Sequence, residues 1–335
     1  MEALVNTVNT VGSMGKGIAL QFKQAFPENF TVYAHAVRRG EVRPGQMLVV
    51  PTGFVTNPRY IINFPTKRHW REGSRLEDID TGLQALVSEI RRLGIKSIAV
   101  PPLGCGNGGL DWSIVKPRIV NALGDLREVR VLLYGPHGSP ALADMPIRTK
   151  RPNMTAARAL LLKLMEQYLG LAYRLRLLEV QKLAYFLQEA GEPLRLRYEA
   201  GHYGPFATNL NKVLERIEGH FIRGYGDSQK PDVEIGLLNG ATRTADAFLV
   251  SHEASRARLR RVAQLIEGFE TPYGMELLSS VHWVATHGGD VLDVDDAVRA
   301  VHGWNDRKKQ MFSTAHIRVA WQQLVDEGWV RATSG

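Results

Sequence analysis

At 335 residues, with 44% hydrophobic and 23% charged residues, the chain is long enough for two ordinary domains and has the composition of a folded protein, which excludes wholesale disorder. A formal net charge of +8 favours contact with a polyanion such as nucleic acid or a nucleotide, with a solvated basic surface as the plain alternative. No apolar run approaches the roughly 20 residues of a membrane span, the N-terminal MEALVNTVNT has no secretory pattern, and the single cysteine, Cys105, admits no internal disulfide; a cytoplasmic location is expected.

The first 135 residues alternate between strand-like and helix-like stretches. Short apolar runs predict strands at 4–5, 47–50, 60–64, 95–100 and 129–134. A helix over 17–26 is expected to end at Pro27. Ile79, Leu83, Leu86, Val87, Ile90 and Leu93 form the apolar face of another helix, with Ser74 and Glu77 as its capping box and Gly94 as its stop. Asp111 caps a further helix through Ile114, Val115, Ile119 and Leu123. The alternation predicts an α/β fold with both sheet faces covered.

Prolines 136, 140, 146 and 152, with Gly138 and the charges of Arg148, Lys150 and Arg151, mark residues 139–152 as a linker between a domain of residues 1–138 and one of 153–335. The second domain reads as mainly α-helical, with helices over 155–169, 175–190, 209–218, 254–267, 273–287 and 314–327. The last leads to a short strand at 328–330, a winged-helix-like ending.

Two glycine-rich loops carry the first chemical signal. Gly12-Ser13-Met14-Gly15-Lys16-Gly17 and Gly104-Cys105-Gly106-Asn107-Gly108-Gly109 each follow a strand and precede a helix. Glycines there bring backbone N–H groups close to a phosphate, and helix N-termini add favourable partial charge. Neither is a Walker A loop or a GxGxxG fingerprint; together they suggest a clamp around a diphosphate at the carboxyl ends of the strands. Asn6 and Asn9, before the first loop, read as residues that order its turn.

The run Glu2-Ala3-Leu4-Val5-Asn6-Thr7-Val8-Asn9, followed by Gly12-x-Met14-Gly15-Lys16-Gly17-Ile18-Ala19, resembles the ADP-ribose-binding start of macrodomains. Phe64-Pro65-Thr66-Lys67-x-x-Trp70-Arg71 and Pro101-Pro102-Leu103-Gly104-Cys105-Gly106-Asn107-Gly108-Gly109-Leu110-x-Trp112 narrow the resemblance to the DarG family, DNA ADP-ribosyl glycohydrolase antitoxins. It covers residues 1–138 and implies a three-layer α/β/α macrodomain with a mixed sheet. It also implies that Thr7, Val8 and Asn9 contact ADP-ribose, Asn9 at the distal ribose. Ile18, Ala19, Leu20 and Gln21 would surround the diphosphate and ribose together with Gly104, Cys105, Gly106, Asn107 and Gly108. Thr66 would line the pocket and Lys67 would be catalytic. A related protein glycohydrolase places an aspartate where this chain has Gly108, so the sequence departs from a Lys–Asp dyad; Asp111 reads as a helix cap. The family's usual first strand, with a Gly-Asp-Leu or Gly-Asp-Ile motif whose aspartate reads adenine, is expected to be missing, and no adenine-reading residue is assigned.

Lys67 has two roles open to it. As a neutral amine it would attack the anomeric carbon, which requires a pKa below the usual value of about 10.4, lowered by burial beside Phe64 and Trp70. As an ammonium it would help the base leave or stabilise transition-state charge. Cys105 has no histidine partner placed by sequence and reads as a packing residue. His202, His220, His252, His282, His287 and His302 are scattered without metal-ligand spacing, so no metal and no cofactor are expected.

Glu179-Val180-Gln181-Lys182-Leu183-Ala184-Tyr185-Phe186 and Tyr203-Gly204-Pro205-Phe206 are similar to the C-terminal region of the same family and to the broader Panacea antitoxin domains. That likeness implies binding and inhibition of a DarT-type toxin, a DNA ADP-ribosyltransferase acting on thymidine. Leu183 and Phe186 read as core and Tyr203-Gly204-Pro205 as a turn. The leading expectation is an antitoxin that removes ADP-ribose from thymidine in single-stranded DNA and also captures the toxin. Alternatives are an ADP-ribose reader whose antitoxin effect comes from the second domain alone, a protein carboxylate de-ADP-ribosylase, and nucleic-acid binding through a winged-helix-like end.

Overall fold

The Ala3–Asn9 segment, with Ala3, Leu4, Val5 and Val8 apolar and Asn6 and Asn9 also buried, forms β1, a strand buried on both faces at the centre of a five-stranded sheet. The computed structural model describes residues 1–136, 145–170, 174–226, 233–289 and 291–331. It divides into two compact units, Met1–Lys150 with Gly226–Gln229, and Arg151–Tyr225 with Lys230–Gly335. Part of the expected linker, residues 139–144, lies outside the described residues.

In the first unit β1 is followed by α1 (Gly17–Ala25), α2 (Pro27–Arg38), β2 (Leu48–Pro51), β3 (Tyr60–Lys67), α3 (Leu76–Leu93), β4 (Ser97–Val100), α4 (Trp112–Leu123) and β5 (Arg130–Leu133). The sheet order is β2-β3-β1-β4-β5. β3 and β4 run parallel to β1, β5 runs parallel to β4, and β2 is antiparallel to β3, so the sheet is mixed. The segments that follow β1, β3 and β4 therefore emerge at one edge of the sheet.

Pro27 does more than end a helix. It occupies the first turn of α2, where its missing N–H costs nothing, and α2 buries Asn29, Tyr33 and Ala36 at helical spacing. The helix escaped the sequence reading because Pro27 was taken as a stop and the buried face has one large apolar ring. α3 packs Ile79, Leu83, Leu86 and Ile90 inward and ends at Gly94 in the left-handed conformation (φ 63°). Its expected capping box is absent: Arg75 is the N-cap, without a side-chain bond, and the Ser74 amide instead donates to Gly108 O at 2.8 Å. Asp111 does cap α4, accepting from the Ser113 amide at 2.8 Å. Gly82 lies beneath Phe64; a Cβ there would stand 2.2 Å from the ring, so this glycine sets how closely α3 meets β3.

The second unit contains α5 (Ala156–Gly170), α6 (Leu177–Glu189), the hairpin β6 (Glu199–Gly201) and β7 (Gly204–Phe206), α7 (Leu210–Ile217), and the short pair β8 (Ile222–Arg223) and β9 (Gly236–Leu237). These are followed by α8 (Ala241–Leu249), α9 (Glu253–Ile266), α10 (Pro272–His287), α11 (Val294–Trp304), α12 (Asp306–Met311) and α13 (Thr314–Asp326). α6 and α10 are buried along almost their full length and form its centre. α8 was not predicted because its inward face is Ala241, Ala245 and Leu249, a weak apolar signal. The ending differs from the expected strand. Trp329 and Val330 both donate to Leu324 O, closing a turn against α13, so residues 328–330 are not a strand.

Candidate functional site

The site is assembled in the first unit at the edge where the β1, β3 and β4 connections emerge. β1 and β3 stay in register up to Val8↔Pro65, and then Asn9 pairs with Lys67. Thr66 is the extra residue of a β-bulge, a device that re-aims the side chain that follows it. Lys67 is consequently half-buried at the strand end. Its Nζ donates to the Asn107 carbonyl at 2.7 Å and to the Trp70 carbonyl at 3.0 Å.

Two carbonyls hold two of the amine's hydrogens and leave its third tetrahedral position without a protein partner among the described residues. Burial lowers the Lys67 pKa from its ordinary value, and Glu72 opposes the shift by favouring the charged form. The direction agrees with expectation, but the surroundings differ. Phe64 is fully buried over Gly82, whereas Trp70 is 37% exposed and offers Lys67 its main-chain carbonyl rather than a hydrophobic wall.

The first glycine loop is ordered by Asn9. Its Oδ1 accepts from the amides of Val11 (3.1 Å) and Ser13 (3.2 Å), and its Nδ2 donates to Ser13 O at 2.6 Å. Tyr33, fully buried on α2, donates its hydroxyl to Asn9 O at 2.6 Å, and burial raises its pKa, keeping it a neutral donor. Any ribose contact by Asn9 must therefore use its remaining amide hydrogen. Asn6 does not order the turn, contrary to the sequence reading. It is fully buried in mid-strand and donates to Asn63 Oδ1 at 2.9 Å, within a buried group that includes Asn29.

α1 begins without a side-chain cap at Lys16; the Gly17 amide is taken by Gly226 O at 2.6 Å and the Leu20 amide by Lys16 O at 3.4 Å, so Ile18 and Ala19 carry the first amides that no such bond engages among the described residues. Ile18 is exposed and Ala19 and Gln21 are half-buried, whereas Val8, Leu20 and Thr66 are buried. Thr7 is half-buried on β1.

The second loop doubles back through Leu110 N donating to Gly104 O (3.0 Å) and Gly109 N donating to Gly106 O (3.1 Å). Gly104 adopts φ +72°. A Cβ on Gly108 would stand 2.2 Å from Ser74 Oγ and 2.3 Å from Gly104 O, so the position that a dyad aspartate would need has no room for a side chain. Gly106 and Asn107 are exposed at the tip, and a Cβ on Gly17 would lie 3.1 Å from Asn107 Nδ2, which brings the two loops together. Cys105 is half-buried, and its thiol is pushed up to about 11 by burial, with Asp111 adding to the shift, which suits packing rather than attack.

Sequence reasoning missed four supports of the site: Tyr33, the Trp70 carbonyl, Ser74 as a strut behind the glycine loop, and the paired Arg68 and Asp78. Arg68 meets Asp78 at 3.1 and 3.3 Å and ties the segment after β3 to α3. An acidic residue in the first turn of α3 was the one available signal.

In the second unit the two motifs read from sequence meet. Gln181 accepts from Ala207 N (3.1 Å) and donates to Ala207 O (3.2 Å), and the buried Lys182 donates to Pro205 O at 2.7 Å. Leu183 and Phe186 are fully buried. Tyr203 lies in the β6–β7 turn, and Gly204 (φ +89°) opens β7 close to Lys182. A cleft of about 230 Å³ lies beside them, bounded by Leu177, Leu178, Tyr203 and Phe206. His282 is buried and bonded to the Tyr185 hydroxyl at 2.7 Å. Among the described residues no group of His, Cys, Asp or Glu could hold a metal ion, and no helix is long and apolar enough to cross a membrane.

Residues 5–119 match the Macro domain family. A DNA ADP-ribosyl glycohydrolase of Thermus aquaticus is 48% identical over 332 residues, covering 99% of this chain and 91% of that protein. One of Mycobacterium tuberculosis is 43% identical over 343 residues, covering 97% of this chain and 95% of that protein. A DNA ADP-ribosyl transferase–DNA ADP-ribosyl glycohydrolase fusion protein of Thermosipho africanus is 37% identical over 151 residues, 41% of this chain and 39% of that protein. With a macrodomain carrying the glycine loops and the pinned lysine, and near full-length identity to these enzymes, the chain belongs to the DNA ADP-ribosyl glycohydrolase family.

Proposed function

We propose that this chain hydrolyses ADP-ribose from ADP-ribosylated thymidine in single-stranded DNA, with Lys67 as the catalytic residue and the two glycine loops as the cradle for the diphosphate. The observation that carries this reading is the Lys67 amine, half-desolvated and held by the Asn107 and Trp70 carbonyls. A neutral amine has two N–H bonds and one lone pair. When both N–H bonds are committed to carbonyls, the lone pair projects at the third position.

In the proposed reaction this lone pair attacks the anomeric carbon of the distal ribose. The bond from that carbon to the base breaks, and the base leaves with the electron pair and takes up a proton. Water then attacks the same carbon, the carbon–nitrogen bond to Lys67 breaks, and free ADP-ribose and the amine are restored. The Ile18–Gln21 segment at the start of α1 and the Gly104–Gly108 loop surround the diphosphate and ribose, and Thr7, Val8, Asn9 and Thr66 border the pocket. With no room at Gly108 for an aspartate, there is no Lys–Asp dyad, and solvent supplies the proton to the departing base and takes it from the attacking water.

The test uses thymidine-ADP-ribosylated oligonucleotide with wild type, Lys67→Ala and Lys67→Arg. The reading expects both variants to lose activity by about a thousandfold or more while still binding ADP-ribose, a loss of at least ~4 kcal/mol in barrier terms. Full activity in Lys67→Arg would remove the nucleophile and leave a charge role.

The second unit is proposed to bind and inhibit a DarT-type toxin. A relative that carries transferase and glycohydrolase in one chain supports a partnership of these activities. Co-elution of the full chain with such a transferase, and loss of transferase activity in the mixture, would test it.

A further inference from the structure

The most unusual surface beside Lys67 is a short aromatic and cationic run immediately after it. Trp70 is 37% exposed although it sits three residues from the reacting amine. The Arg71 guanidinium lies 4.6 Å from its centroid, and the His69 ring lies 5.4 Å away at an interplanar angle of 30°. Arg68, Arg71 and Arg75 are all exposed along the same segment, with Glu72 among them.

Arg71 lies over one face of the indole, and the rest of Trp70 stays partly in water, open to a further ligand, because the function proposed above assigns ADP-ribose to the glycine loops. The run is not loose. Its backbone is held by the Lys67–Trp70 bond, by Thr10 N donating to Lys67 O at 3.1 Å, and by the Arg68–Asp78 pair.

We propose that Trp70, flanked by His69 and Arg71, is a stacking platform for a nucleobase adjacent to the modified nucleotide in single-stranded DNA, and so selects an oligonucleotide over an isolated ADP-ribosylated nucleoside. This rests on the function proposed above. A π-face accepts any base, and the neighbouring guanidiniums offer positive charge to the phosphates on either side of it, a combination suited to single strands and tolerant of sequence. The position follows from the covalent geometry of the substrate. When the anomeric carbon of the distal ribose meets the Lys67 amine, the thymine joined to that carbon lies beside the amine, and the strand that carries the thymine must leave past the residues around it, of which Trp70 is one of the two whose carbonyl holds the amine. The platform is a binding feature, separate from bond cleavage.

The test compares kcat/KM for an ADP-ribosylated oligonucleotide with that for ADP-ribosylated thymidine, and uses their ratio so that any disturbance of Lys67 cancels. The ratio is expected to fall about tenfold in Trp70→Ala and to be restored in Trp70→Phe. An unchanged ratio in Trp70→Ala overturns the platform. Binding of fluorescein-labelled, unmodified oligothymidylate, followed by anisotropy, reads the platform without chemistry. Binding about tenfold weaker in Trp70→Ala supports the inference even if the wild type cleaves neither substrate, a result that would remove the proposed reaction alone. Equal binding by the two proteins overturns the inference.

Discussion

The Lys67 side chain and the Asn107 main chain are 40 positions apart in sequence and joined by a 2.7 Å hydrogen bond. Through that bond the end of β3 is tied to the tip of the second glycine loop, and the loop and the amine are held together.

The first prediction concerns pH. Burial lowers the Lys67 pKa and Glu72 partly restores it. If the neutral amine attacks, activity rises with pH to an inflection below the ordinary lysine value of about 10.4. Glu72→Gln removes the charge that favours the ammonium, so the inflection moves to lower pH and the rate near neutrality increases. A pH–rate profile of both proteins checks the shift; displacement to higher pH would contradict it.

A second prediction addresses the dyad aspartate of the related protein glycohydrolase. Gly108→Asp will not create a working pair, because even a Cβ meets Ser74 Oγ and the Gly104 carbonyl at little more than 2 Å. Gly108→Ala already destabilises the first unit by ~1–3 kcal/mol through overpacking. Thermal melts with and without ADP-ribose measure both the loss and any decline in binding.

Tyr33 provides a third. Tyr33→Phe leaves the Asn9 carbonyl without its 2.6 Å donor in a buried setting, a cost of ~1–3 kcal/mol. Because Asn9 orders the first loop, calorimetric titration with ADP-ribose is expected to show weaker binding with little change in overall secondary structure.

The fourth lies in the second unit. Burial holds the His282 imidazole at about 3, with His287 and Arg261 adding to the effect, against about 6.5 in an unfolded chain. Below pH 6.5 the unfolded state takes the proton first, so the stability contributed by a neutral His282 is complete above pH 6.5 and is lost as pH falls toward 3. Urea melts across that window should show a shallower decline in His282→Gln than in the wild type.

Much of the site was legible because glycines and a lysine in fixed order carry their chemistry in their identity. The two loops needed only the strand–turn–helix alternation to be placed at one edge of the sheet, whereas Lys67, which alone reads as a solvated loop charge, was singled out by the resemblance of its motif to the family. What could not be read depends on contacts distant in sequence. Asn6 looked like a turn residue because short amides favour turns, yet it meets Asn63 across two strands. Ser74 had the right spacing for a capping box, but its amide was claimed by Gly108. Trp70 resembled a hydrophobic wall, and its direction was set by the chain leaving β3. In the helical unit, α6 declared itself by its apolar content, while α8, with alanines on its inner face, did not.

The extra residue at Thr66 gives this enzyme an unusual vulnerability to a change in chain length. Successive side chains of a strand face opposite ways, so excising one residue there would even out the pairing with β1 and rotate the Lys67 nitrogen away from the Asn107 and Trp70 carbonyls that hold it. A frame-preserving loss of three bases could thus yield a chemically silent protein.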